Sequence, residues 1–341
     1  MVSNSEKDVE ISVVIPVYNE ESNLDYLFER LTTTLDKLNI KYEIICINDG
    51  SKDNTLKYLI QHHYSNSVIK VINLSRNFGK EAALSAGIDF ASGAAIIPID
   101  ADLQDPPELI GEMINKWREG YDVVYGTRRT RQGDSWTKRF TANLFYQIIG
   151  QIGHVQIPSN TGDFRLLDRR AVEAVKQMPE KSRFMKGIFS WVGFKQTSIF
   201  YDRPNRYKGT TKWNYWRLWN FAIDGITSFS LLPLKVWSYV GVIFSLTAFV
   251  YAGALIVRTL LFGIDVPGYA SLMVVILFLG GVQLLTLGII GEYIGRIFEE
   301  VKNRPLYLVR EVYGFKQNTE LYGDFQVNEK VSTSIKGSPY K

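Results

Sequence analysis

Three acidic segments carry residue types suited to chemistry: Pro16-Val17-Tyr18-Asn19-Glu20, Asn48-Asp49-Gly50-Ser51, and Asp100-Ala101-Asp102-Leu103-Gln104-Asp105-Pro106-Pro107. Carboxylates gathered from such segments repel one another unless a cation or hydrogen-bond donors compensate them. Asp100 and Asp102 are alternate residues of an extended stretch, so both can face one hard cation. Mg2+ or Mn2+ suits that pair, because these ions take one or two carboxylates and complete their shell with substrate phosphate oxygens. Asp49, Ser51 and Asp53 can equally cap the next helix, and Asp105 with Pro106 and Pro107 can start another. Their positions before helical patterns favour capping for Ser51, Asp53 and Asp105. An apolar strand ending in paired acids favours a metal-diphosphate site for Asp100 and Asp102.

The elements that must position these residues are legible as β-branched runs at 11–16, 42–47, 68–74, 94–99 and 122–125, separated by helical patterns such as 21–38 and 78–91. That alternation predicts a mostly parallel sheet between helices, with ligands beyond the carboxyl ends of the strands. Three acidic segments then share one rim. Neither a Gly-x-Gly-x-x-Gly turn after the first strand nor a Gly-x-x-x-x-Gly-Lys-Ser/Thr loop is present, which argues against dinucleotide oxidoreductases and P-loop enzymes. Cys46 is the sole cysteine, so no internal disulfide or cysteine zinc cluster forms, and His62, His63 and His154 lack metal-ligand spacing. A net charge of +4 over 341 residues, with no recognisable nucleic-acid module, points away from nucleic-acid binding.

Past Leu234 the composition changes. Residues 236–257 and 266–291 contain no charged side chain, and each run is long enough to cross roughly 30 Å of hydrocarbon as a helix. Lys208, Lys212, Arg217 and Lys235 precede the first run, and Arg296, Lys302, Arg304 and Arg310 follow the second. The positive-inside rule therefore predicts two spans with both termini cytoplasmic and the chain beginning in a cytosolic domain. Residues 213–234, with Trp213, Tyr215, Trp216, Trp219, Phe221 and Phe229, read as an interfacial helix or as a core helix of the soluble domain. Gly280, Gly281, Gly288 and Gly291 would allow close helix packing within a molecule or in a homo-oligomer. Residues 314–341 read as a polar tail.

The acidic segments, together with Ser75-Arg76-Asn77-Phe78-Gly79-Lys80, Gly126-Thr127-Arg128-Arg129 and Gly162-Asp163-Phe164-Arg165-Leu166, resemble the inverting glycosyltransferases of family 2. Within that family the chain is most similar to polyisoprenyl-phosphate glycosyltransferases of the dolichol-phosphate-mannose synthase type, and in particular to bactoprenol glucosyltransferases. The resemblance, over roughly residues 10–305, implies a GT-A α/β domain with a Rossmann-like, mostly parallel sheet at 1–212. It further implies a juxtamembrane segment at 213–234, transmembrane helices at 235–262 and 266–295, and a cytoplasmic tail at 296–341. Pro16, Tyr18, Glu20 and Asp49 match nucleoside-holding positions, with Asp49 on the base or ribose. Asp100 and Asp102 match the metal pair, assisted by Gln104, with Ala101 beside the donor and Arg128 over its diphosphate. Asp163 and Arg165 match the acceptor-side motif. Arg206, Gly209, Thr211 and Lys212 resemble an Arg-x-x-Gly-x-Ser-Lys segment, with Thr211 keeping the hydroxyl.

The implied reaction moves glucose from UDP-glucose to undecaprenyl phosphate at the inner face of a bacterial inner membrane, with Mg2+ or Mn2+ neutralising the leaving diphosphate. Asp163 would accept a proton or orient the acceptor, and Arg165, Arg206 and Lys212 would offset repulsion between phosphates. The same basic group could instead lie against anionic headgroups. No residue excludes GDP-mannose, UDP-GlcNAc or UDP-aminoarabinose as the donor in place of UDP-glucose. A processive synthase would carry Gln-x-x-Arg-Trp and more spans, which are missing here, and a non-catalytic membrane scaffold would not need Asp100, Asp102 and Asp163.

Overall fold

A computed structural model of the protein describes residues 9–129, 161–178, 180–181, 183, 185–202, 232–263 and 268–315. Strands β1 (Ile11–Val17), β2 (Tyr42–Asn48), β3 (Ile69–Leu74) and β4 (Ala95–Pro98) alternate with helices α1 (Leu24–Lys37), α2 (Thr55–Ser65) and α3 (Lys80–Phe90). A short 3-10 turn leads into α4 (Ile110–Arg118), followed by β5 (Val123–Arg128) and β6 (Thr161–Asp168). Helices α5 (Arg169–Lys176) and α6 (Met185–Trp191) and strand β7 (Gln196–Tyr201) complete the first unit. Two long helices, α7 (Leu232–Phe262) and α8 (Tyr269–Val301), precede a last strand, β8 (Val309–Tyr313).

The strands form one sheet in the order β7-β5-β6-β4-β1-β2-β3-β8. Its centre, β4-β1-β2-β3, is parallel, as the alternating sequence pattern requires. Antiparallel pairings bring in β6 between β4 and β5, and β8 beside β3. This is the mostly parallel α/β sheet that the sequence resemblance leads one to expect.

Side-chain alternation divides the core. Val13, Ile15 and Val17 face α1 and α4 through Leu27, Leu31, Ile110 and Met113, whereas Val14, Ile45 and Ile47 face α3, α5 and α6 through Leu84, Val172 and Phe189. Helix α3 lies so near the sheet that a Cβ at Gly87 would collide with Val14 and Ile47. That approach carries the first residue of α3 to the rim where the parallel strands end.

Two features depart from the sequence expectation. Residues 296–341 were expected as a tail, yet α8 continues to Val301 and β8 joins the central sheet beside β3 with Val312 buried. The connection is clamped: the Lys181 backbone N–H donates to Glu300 Oε1 (2.7 Å), its ammonium donates to the Arg304 carbonyl (2.6 Å), and Tyr307 donates to Asp89 (2.8 Å). Of the two spans expected, one stretch among the described residues, Val274–Val301, is long and apolar enough to cross a membrane; in α7 the corresponding described stretch, Tyr239–Tyr251, is shorter. Both helices nonetheless present apolar side chains outward, including Phe249, Leu260, Phe262 and Leu284, each more than 70% exposed. They touch through the Phe244 and Phe278 rings, centroids 5.4 Å apart. Among the described residues nothing lies within 4 Å of a Cβ built on Gly280, Gly281, Gly288 or Gly291. The aromatic segment 213–234 lies outside the described residues except for its last three, which start α7.

Candidate active site

Because β4, β1 and β2 are neighbours in register, with Val17 opposite Asn48, the three acidic segments emerge side by side, as expected. The first two are sewn together by backbone donors. Asn19 N–H donates to Ser51 Oγ (3.0 Å), Lys52 N–H to Asn19 Oδ1 (2.8 Å), and Glu20 N–H to Thr55 Oγ1 (3.0 Å). Ser51 thus acts between loops and does not cap α2, whereas Asp53 Oδ1 does accept the Thr55 N–H at 3.1 Å. Pro16, Tyr18 and Glu20 are partly exposed on this edge, and the Glu20 carboxylate accepts from Asn23 Nδ2 at 2.6 Å.

Asp49 turns inward. It is 3% exposed, and its two oxygens accept the backbone N–H groups of Phe78 (2.7 Å) and Gly79 (3.0 Å). Burial pushes this acid up, with the two N–H donors and Arg76 acting against it. The approach of the two loops requires Gly50, at φ 65°, where a Cβ would sit 2.5 Å from the Arg76 carbonyl carbon and Asn77 nitrogen. Asp49 therefore fixes the loop that launches α3. Gly79, at φ 98°, forms the cap, and Lys80 is the first helical residue.

Lys80 is the functional residue that motif reading left without a role. Its ammonium lies 2.6 Å from Asp100 Oδ1 and donates to Asp163 Oδ2 at 2.6 Å. Strand periodicity explains the meeting. Asp163, Arg165 and Leu167 are alternate residues of β6, and Leu167 packs in the core layer beneath α3. The pair combines positions 83 residues apart, so only the sheet order reveals it.

The segment after β4 alternates, though not as an extended strand: Leu103 is left-handed (φ 59°), and Gln104 N–H closes a turn onto Asp102 Oδ1 at 3.1 Å. Asp100, Asp102 and Gln104 are half-buried, while Ala101, Leu103 and Asp105 are buried. Ala101 belongs to the core and offers the site only its backbone. Asp105, expected to start a helix, makes no cap; it accepts the Tyr201 hydroxyl at 2.7 Å with Arg128 3.9 Å away. Burial, then the Asp100 charge, pushes Asp105 up to about 6. Arg128 and Tyr201 are partners across the β5–β7 pairing, and Arg128 Nε donates to the Tyr201 hydroxyl at 3.3 Å. Tyr201 carried no sequence signal.

Arg165 sits behind the site. It is 3% exposed, its guanidinium lies 4.5 Å from the Phe189 ring centroid, and it donates to the Gly162 carbonyl at 2.8 Å. Burial lowers its pKa to about 10. It shapes the strand bearing Asp163. Arg206, Thr211 and Lys212 lie outside the described residues.

Asp100, Asp102 and Gln104 offer hard oxygen donors, and an ammonium already rests on Asp100 where a cation is wanted, so the residues fit a hydrated divalent ion. Among the described residues no cluster of three or more His, Cys, Asp or Glu side chains encloses one.

Residues 12–176 match the model of Glycosyl transferase family 2, and residues 232–297 match that of the GtrB C-terminal hairpin. An uncharacterized glycosyltransferase of Synechocystis sp. is 65% identical over 308 residues, covering 90% of this chain and 97% of the relative. The bactoprenol glucosyl transferase of Shigella phage SfII is 47% identical over 303 residues, covering 89% and 98%. A crystal structure of glucosyl-3-phosphoglycerate synthase from Mycobacterium tuberculosis with Mn2+, UDP and phosphoglyceric acid is 18% identical with a TM-score of 0.47, covering 64% of this chain and 76% of that one. With its acidic rim at the carboxyl ends of a parallel sheet, and with the Synechocystis and Shigella phage relatives matched over 97% and 98% of their length, the chain belongs to glycosyltransferase family 2.

Proposed function

We propose that this glycosyltransferase moves one glucosyl residue from UDP-glucose to undecaprenyl phosphate at the cytoplasmic face of a membrane, inverting the anomeric carbon. The observation that carries the reading is the convergence of Asp100 and Asp163 on one ammonium, beside the rim where the other acids emerge. The relatives named bactoprenol glucosyl transferase support a polyisoprenyl phosphate acceptor. The exposed apolar faces of α7 and α8 support residence of both helices in the bilayer, where that acceptor keeps its tail.

Pro16, Tyr18 and Glu20 hold the nucleoside, with Asp49 ordering the loop against it. Asp100, Asp102 and Gln104 would hold Mg2+ or Mn2+, which would neutralise the charge developing on the leaving diphosphate. Arg128, oriented by Tyr201, adds a fixed positive charge over the same group. The acceptor phosphate is largely dianionic near neutral pH because its second pKa is about 6. A strong base is therefore unnecessary, and Asp163 orients the phosphate or takes its remaining proton. One acceptor oxygen forms the new bond to the anomeric carbon as the bond to the diphosphate oxygen breaks on the opposite side. Arg165 steadies Asp163 from behind, Arg206 and Lys212 offset the acceptor's charge, and the Thr211 hydroxyl donates to its phosphate. Two spans with the catalytic unit and both termini cytoplasmic would keep this rim at the headgroup plane.

Purified full-length protein in detergent, with Mg2+, undecaprenyl phosphate and a panel of nucleotide sugars, tests the reading. Lipid-linked glucose from UDP-glucose is expected. Product from another donor alone would reassign the sugar, and no lipid product from any donor would overturn the acceptor.

A further inference from the structure

Lys80 occupies an electrostatically unfavourable place. It is the first residue of α3, where the helix dipole and free N–H groups favour anions. Asp49, which takes the N–H groups of Phe78 and Gly79, keeps the loop fixed and so holds the ammonium at this end. Two carboxylates offset the misfit. The ammonium lies 2.6 Å and 2.9 Å from the two oxygens of Asp100 and 2.6 Å from Asp163 Oδ2. The Asp163 side chain is 11% exposed and that of Asp100 31% exposed, so the Asp100 contact faces solvent and the Asp163 contact is enclosed.

We propose that Lys80 is a displaceable counter-ion: it holds Asp100 and Asp163 together while the site lacks a divalent cation, and it yields Asp100, but not Asp163, when one binds. A lysine suits the task because its compact charge on a flexible stem can shift between oxygens without the bidentate lock of arginine. An ammonium covering both Asp100 oxygens must leave before they can ligate a metal, so Lys80 lowers affinity for the bare ion. Retained on Asp163, the same charge lies on the acceptor side, away from the donor diphosphate. This inference rests on Asp100 being a metal ligand.

Mn2+ titration of the detergent-solubilised full-length protein, followed by the loss of the free-ion EPR signal without substrates, separates the two claims. Lys80→Met is expected to bind Mn2+ about three- to tenfold tighter than wild type, whereas Lys80→Arg, with its bidentate hold on the carboxylates, is expected to bind it more weakly than wild type. Asp100→Asn is expected to lose Mn2+ binding. A Lys80→Met protein whose affinity is unchanged or weaker, while Asp100→Asn still loses binding, overturns the counter-ion role. Wild-type affinity in Asp100→Asn overturns the metal reading itself. A thermal melt confirms that each variant is folded, and Lys80→Gln replaces Lys80→Met, with the same expectation, if the latter is not. A residue serving only structure would weaken metal binding when removed, the opposite sign.

Discussion

Glu311 accepts a hydrogen bond from Asn73 Nδ2 at 3.2 Å, and thereby ties a strand that follows both apolar helices to the rim of the catalytic sheet. The link continues inward. Asn48 Nδ2 donates to Asn73 Oδ1 at 2.8 Å, and Asn48 Oδ1 accepts the Ser51 N–H at 3.3 Å. The chain thus returns from α8 to brace the loops that follow β1 and β2. Val312→Asp, which places a charge in the core where β8 packs, is expected to destabilise the catalytic unit by several kcal/mol. Chymotrypsin digestion of the full-length protein checks it: rapid cleavage after Tyr307 or Tyr313 is expected in the variant and resistance in wild type.

Asp49 anchors the loop that launches Lys80, so its removal acts through that loop. Asp49→Ala leaves two backbone N–H groups without their acceptor and is expected to cost about 1–3 kcal/mol. Asp49→Asn, which keeps one acceptor oxygen, is expected to lose less. Urea unfolding of both variants measures the difference.

Tyr201 holds a buried acid. Tyr201→Phe removes the hydroxyl from Asp105 and from Arg128, with an expected loss of about 1–3 kcal/mol. For a unit of this size that corresponds to a fall of several degrees in Tm. Tyr201→Phe/Asp105→Ala should lose less than the two single changes combined, since the variants share one contact. Additive losses would show that the contact contributes nothing.

Far from the rim, Glu43 is 2% exposed and accepts from Lys70 Nζ (2.6 Å), Ser12 Oγ (2.5 Å) and the Ser92 N–H (2.7 Å). Burial pushes this acid up, but the ammonium and the donors outweigh it, so its pKa lies below the ordinary glutamate value. The unfolded chain therefore takes up a proton first as pH falls. Glu43 contributes stability that is complete above about pH 4.5 and is lost as pH drops through the lower folded value. Glu43→Gln is expected to cost about 3 kcal/mol at pH 7, with the gap to wild type narrowing below about pH 4.5. Chemical denaturation at pH 7, 5 and 3.5 reads this directly.

The contrast between Asp100 and Lys80 shows what the sequence could and could not disclose. Acids at the ends of β1, β2 and β4 were legible because a parallel sheet forces its strand ends onto one rim, and hydrophobic alternation locates those ends. Lys80 meeting Asp163 was not, since the contact depends on β6 entering antiparallel between β4 and β5. Asp105 looked like a helix start because its local context, Asp-Pro-Pro, is that of a cap; only the register of β5 and β7 brings Tyr201 against it. Residues 309–313 lie within a stretch read as tail, and five residues are too few to announce a strand without the edge of β3 to receive them.

Turnover by Asp100→Asn and Asp102→Asn with saturating Mg2+, UDP-glucose and undecaprenyl phosphate tests the central assignment most directly. Each variant is expected to fold, as judged by its melting curve, and to form lipid-linked glucose at least a hundredfold more slowly than wild type, while EDTA stops the wild-type enzyme. Wild-type rates in either variant, or turnover undiminished by EDTA, would contradict a metal-held diphosphate at this rim.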